Sequence, residues 1–151
     1  MLKKTGGNIV TAKAWLNRGW KLNSEIKQLV EAKNTIWEIA TNATANPFEE
    51  RVKTSRQNTS EIRMAKILDY GMEIECQIER LVAILREILC AINTVEDVTC
   101  RTLLIARYVN FKTWEDIADT MGFSYAGIQK IHKKALNCIQ RYIEVDTQKV
   151  V

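Results

Sequence analysis

At 151 residues the chain has room for one domain, or for a small domain with an extension, which argues against a two-lobed catalytic protein. One proline and six glycines are too few for a strand-rich fold, whose turns recur every ~8–12 positions, so an all-α fold is expected. A formal net charge of +4 favours polyanionic partners without naming one.

The N-terminus, MLKKTGGNIV, has basic residues but no apolar run of the ~7–15 residues that a signal peptide needs, and no run of ~18 follows. The expected setting is the cytoplasm, with no membrane contact. Cys76, Cys90, Cys100 and Cys138 form no CxxC pair, and His132 is the sole imidazole, so no metal site or cofactor is expected. Cys76, Cys90 and Cys138 fall within helical apolar patterns and read as structural thiols, with a disulfide framework as the weaker alternative.

After a flexible start ending near Val10, Thr11 can cap a long first helix. Its apolar positions, Trp15, Leu22, Ile26, Leu29, Ile36 and Ala40, step by sevens or by threes and fours, as a seam on one face does. Gly19 and Lys33 interrupt that seam, while Trp20, Val30 and Trp37 widen it. Residues 42–60 turn polar around Pro47 and read as a linker. A second long helix is expected from Ser60 to Ile92 with Ile67, Ile74, Ile78, Leu81, Leu85, Ile88 and Ile92 inward. Each helix could extend ~45 Å, so the region 11–93 is expected to form a coiled-coil-like helical hairpin that self-associates into a homo-oligomer.

Residues 94–144 divide into three shorter helices. The first is expected over Val95–Val109. Thr113 can cap the second, with Glu115 and Asp116 opposing the positive end of its dipole. Gly122 supplies a turn, and Ser124 caps a third helix reaching about Ile143, with Ile128, Ile131, Ala135, Leu136 and Ile139 inward. That assignment leaves Tyr125, Ala126, Gln129, Lys130, His132 and Lys133 on an outer face, and no acid lies between Ser124 and Ile143.

A helix-turn-helix needs a second helix that buries one stripe and offers polar, cationic residues to the major groove. Lys130, Lys133, Lys134 and Arg141 can neutralise phosphates, Gln129 can pair with adenine, and Lys130 can donate to guanine. Tyr125 and Ala126 suit groove-edge or thymine-methyl contact, while Lys112 and Thr113 can clamp a phosphate. Trp114 reads as packing the outer corner of the three-helix unit. Double-stranded DNA is therefore the expected partner, with contacts from Lys112, Thr113, Ser124, Tyr125, Ala126, Gln129, Lys130, His132, Lys133 and Lys134.

The segment TLLIARYVNFKTWEDIADTMGFSYAGIQKIHKKAL resembles the helix-turn-helix of sigma-factor region 4, and more closely that of phage late-gene transcriptional regulators of the ArpU and RinA type. The resemblance is specific over about Leu103–Leu136 and loose over Ala12–Ile92. It implies sequence-specific binding near a promoter, activation of phage or prophage late genes, and bacterial RNA polymerase as a further partner. It also implies groove-facing roles for Tyr125, Gln129, Lys130, His132 and Lys133. Gly127, within the reading helix, departs from the pattern and costs about 1 kcal/mol of helix propensity relative to alanine.

Two rival readings stay open. A complete sigma factor would need a promoter-opening module, which Ala12–Ile92 does not resemble. A DNA-packaging subunit of the small-terminase kind would also pair a helix-turn-helix with an oligomerising hairpin, and is the alternative function. An enzyme is not expected, since no carboxylate pair, phosphate loop or nucleophile motif surrounds His132.

Overall fold

The computed structural model describes residues 10–42 and 53–149. Among the described residues the regular elements are all helical, as expected: α1 (Ala12–Asn42), α2 (Lys53–Asn93), α3 (Val98–Leu104), α4 (Trp114–Met121) and α5 (Tyr125–Lys149). A π-wound turn, Ile105–Val109, continues α3. No described helix is long and apolar enough to cross a membrane. The expected flexible start before Val10, and the linker as far as residue 52, lie outside the described residues.

Three boundaries differ from expectation. Helix α2 begins at Lys53 rather than Ser60, because nothing between Pro47 and Gly71 breaks a helix and the polar opening turns merely lack an apolar stripe. Helix α3 begins at Val98 rather than Val95, since the Asp97 carboxylate accepts the amides of Thr99 at 2.9 Å and Cys100 at 3.2 Å and so caps the helix there. Helix α5 runs on to Lys149, past the expected end near Ile143.

The helices gather into two compact units, Met1–Trp20 with Ala83–Val151, and Lys21–Val82. The expected division at residues 93 and 94 thus falls inside the first unit. The physical cause is a shared core, in which Leu16 from α1 and Ile88 and Ile92 from α2 are buried with Leu104, Tyr108 and Ile139. Each such side chain contributes about 1.5–3 kcal/mol by leaving water. The start of α1 is tied in further: Ala12 N–H donates to Gln140 Oε1 at 2.7 Å, while Thr11 Oγ1 accepts from Ala14 N–H at 3.3 Å. A second cluster, Leu103, Ile117 and Ile128, joins α3, α4 and α5.

Gly19 does not interrupt the packing of α1. A β-carbon there would stand 3.1 Å from Leu85 Cδ2 and 3.6 Å from Ile88 Cδ1, so the bare glycine is what lets α1 and α2 approach within this unit. Arg18 pairs with Glu87 at 2.9 Å one residue away, on the surface.

In the unit of residues 21–82, Leu22, Ile26, Ile67 and Ile74 are buried as expected. Ile78 is not: it is 44% exposed, and Gln77, three residues after Ile74, turns inward instead. Gln77 is satisfied there, donating to Glu73 Oε1 at 2.8 Å and accepting from Arg80 at 3.1 Å. Lys33, the other interruption of the α1 seam, lies over Gly71, with Nζ 3.8 Å from where a β-carbon would stand. Among the thiols, Cys100 is buried and Cys138 half-buried, but Cys76 and Cys90 are exposed, correcting their assignment to the apolar face.

Replacing Gly19 by leucine is expected to lower stability by about 1–3 kcal/mol through overpacking against Leu85 and Ile88, despite the gain in helix propensity. Urea unfolding followed by circular dichroism measures it, and an unchanged midpoint would show that the close approach at residue 19 is not needed.

Candidate nucleic-acid interface

The segment from Lys112 to α5 is held by three local devices that the sequence anticipates. Thr113, in extended backbone, accepts the Asp116 amide on Oγ1 at 3.2 Å and starts α4. Gly122 ends it at φ 70°, a left-handed conformation that glycine adopts without a β-carbon penalty, and the amide of Phe123 closes back onto the Ala118 carbonyl at 3.1 Å. Ser124 Oγ then accepts the Gly127 amide at 3.1 Å at the start of α5. Both capping hydroxyls keep a proton to donate.

The rotation of α5 about its axis decides which residues face outward. Ile128, His132, Ala135 and Ile139 are buried, at steps of four, three and four, while Ile131 and Leu136 are half-buried on either side. The opposite ridge is Ala126, Lys130, Lys133, Asn137 and Arg141, all exposed, with Tyr125 exposed near its start and Gln129 half-buried on its flank. The expected positions of Tyr125, Ala126, Lys130 and Lys133 are therefore outward. Arg141, expected among the phosphate-neutralising charges, continues the same ridge, and so does Asn137, which is absent from the expected contacts; the signal for Asn137 is its spacing of four residues from Lys133.

His132 is a correction. It is 6% exposed and faces the interior, where its Nε2 shares a 2.7 Å hydrogen bond with the Tyr108 hydroxyl and its ring meets the edge of Trp114 at 4.7 Å. Burial, with the charges of Lys13 and Arg107 adding to it, pushes its pKa down to about 4, and burial lifts Tyr108 to about 12. His132 is thus a neutral core residue near pH 7, unable to offer an outward charge to phosphate. Its spacing from Ile128 and Ile139 is the signal that assigns it inward, against the misleading lysines on both sides.

Lys134 also differs from its expected role. Its ammonium lies 2.6 Å from Asp97 Oδ2, so it holds α5 to the cap of α3 rather than standing free. The hydrogen bond to Lys134 holds the Asp97 carboxyl below its ordinary range, and the same contact raises Lys134.

Beside this helix, the Arg107 guanidinium is clasped between two indoles, 4.1 Å from the Trp20 ring centre and 4.6 Å from that of Trp114. Arg107 donates to the Lys112 carbonyl at 2.8 Å, and the Lys112 amide reaches back to the Ala106 carbonyl at 3.0 Å. Between them Phe111 takes φ 55° and sets its ring edge-on to Trp20 at 5.6 Å. The main chain that carries Lys112 and Thr113 is fixed from both sides, while the Lys112 side chain is exposed. Trp114 packs as expected, between Arg107 and His132. Among the described residues no group of three or more histidine, cysteine, aspartate and glutamate side chains could hold a metal.

The lowered pKa of His132 has a consequence for stability. The unfolded chain takes up a proton near pH 6.5 and the folded chain only near pH 4, so stability is full above the first value and falls as the pH drops towards the second. At pH 5 the loss attributable to this residue is about 2 kcal/mol. Thermal unfolding between pH 7 and pH 5 is expected to show this fall in the parent chain and to lack it in His132→Gln, which has no histidine left. Parallel curves for the two chains would mean that His132 is not buried in its neutral form.

Comparison with protein-family models, with curated proteins and with solved structures finds no match to this chain.

Proposed function

We propose that the chain is a sequence-specific double-stranded DNA-binding transcriptional regulator, an activator of phage or prophage late genes that acts beside bacterial RNA polymerase. In this reading α4, the Gly122 turn and α5 are a helix-turn-helix, and α1 with α2 is a helical hairpin that joins copies of the chain. The observation that carries it is the exposed ridge of α5, where Lys130, Lys133, Asn137 and Arg141 stand over a fully buried opposite stripe with no acid from Tyr125 to Ile143. A cationic, amide-bearing helix face is suited to phosphates and to base edges in the major groove.

The self-association rests on a separate observation. Within residues 21–82, Trp37, Met64, Leu68 and Met72 are 47–71% exposed, and exposed apolar side chains of this kind mark surfaces that another copy of the chain can cover. The hairpin reading draws on Lys33 lying over Gly71 and on Arg18 pairing with Glu87.

In a titration at ~0.1 M salt, the double variant Lys130→Glu with Lys133→Glu is expected to weaken duplex binding by about tenfold or more. Lys133→Ala should flatten the salt dependence by about one phosphate contact, whereas Lys134→Ala should leave the slope unchanged because Asp97 already engages that charge. Gln129→Ala should relax preference at one base position by about 1–3 kcal/mol. Binding indifferent to the double reversal would remove α5 as the DNA-facing element. Sedimentation at micromolar concentration is expected to give a mass above the monomer, and a monomer would overturn the assembly.

A further inference from the structure

Gly127 is the odd residue of α5, a poor helix former inside the proposed reading helix, and its surroundings give it a purpose. A β-carbon there would press on Ser124 Oγ at 3.3 Å and would touch Phe123 at Cβ, 3.6 Å, and Cδ1, 3.8 Å. The tight approach is to the capping hydroxyl of Ser124, which accepts the Gly127 amide, while Phe123 lies at ordinary contact distance beside this first turn of α5. The residue two places past the end of a helix, after a left-handed glycine, commonly folds its apolar side chain back onto that helix. Phe123 occupies that place after α4, yet it leans forward onto the start of α5 and stays 44% exposed.

Its neighbour Tyr125 is 56% exposed. Among the described residues of the unit Met1–Trp20 with Ala83–Val151, these two are the exposed large aromatic side chains, and they sit together at the leading end of α5, ahead of Lys130 and Lys133. In a helix-turn-helix it is the leading end of the second helix that meets base edges. An apolar surface held there, ahead of a cationic ridge, matches the one apolar group that the major groove displays, the C5 methyl of thymine.

We propose that Phe123, exposed beside the first turn of α5, is a specificity-determining residue that reads the methyl group of a thymine at one position of the DNA site. The inference rests on the DNA-binding function proposed above and adds a residue and a base to it. Phe123 acts by excluding water from the methyl group, so the contact is lost on either side when the ring or the methyl is removed.

The test uses the full chain. Bound sequences are first selected from random duplex DNA, and each thymine of the selected site is then replaced, one at a time, by deoxyuridine, which pairs identically and lacks only the methyl. At one thymine the parent chain is expected to bind the deoxyuridine duplex about fourfold more weakly, the value of one buried methyl-sized group. Phe123→Ala should bind the two duplexes equally at that position, Phe123→Leu should keep part of the preference, and Tyr125→Ala should keep it whole. A structural role for Phe123 would weaken binding to both duplexes alike and leave the ratio intact. The proposal is overturned if Phe123→Ala, with unchanged helicity, retains the parent's discrimination at every thymine, or if the selected site has no methyl-sensitive thymine. Failure to select any sequence has a different meaning: it removes the DNA-reading function itself, and this inference with it.

Discussion

The angular setting of α5 is the constraint on which the rest of the first unit depends, and a polar contact helps to hold it. Ile128, Ala135 and Ile139 would drive one face of the helix inward on hydrophobic grounds alone, but apolar surfaces tolerate some rotation. The 2.7 Å hydrogen bond between His132 and Tyr108 does not, because a small turn of α5 would leave two buried polar groups unpaired at about 1–3 kcal/mol each. With that bond made, Lys130 and Lys133 have one direction to face. The salt bridge from Lys134 to Asp97 fixes the same helix again on the surface, at the cap of α3.

The π-wound turn after α3 belongs to the same construction. It places Arg107 between the Trp20 and Trp114 rings and lets the following loop close on itself through the Lys112 amide and carbonyl. Phe111 takes the left-handed region, which favours glycine, and its ring packs edge-on against Trp20. Trp114 touches both Arg107 and His132, so the loop that precedes α4 and the helix that follows it are packed into one arrangement.

Glycine serves three different ends in this chain. Gly122 is needed for its φ, Gly19 for the space it leaves to Leu85, and Gly127 for the room it leaves the capping hydroxyl of Ser124. The sequence distinguishes the first from the others, since a glycine between a capped helix and a capping serine announces a turn. For Gly19 and Gly127 the sequence shows only a cost in helix propensity, because the compensating neighbour is remote in one case and on the preceding turn in the other.

Local chemistry was legible along the chain. The helical class, the Thr113 and Ser124 caps, the Gly122 turn and the outward ridge through Lys130 and Lys133 each follow from residues within a few positions of one another. Tertiary structure decided what depends on distant partners: His132 turning inward to Tyr108, Lys134 claimed by Asp97, Gln77 replacing Ile78 on the inner face, and the first turns of α1 sharing a core with α5. Capping and periodicity are short-range and leave a mark in the sequence. Burial of a polar group is settled only when another part of the chain arrives to satisfy it, so the sequence by itself determined the elements and their amphipathic faces, and packing decided which polar side chains those faces keep.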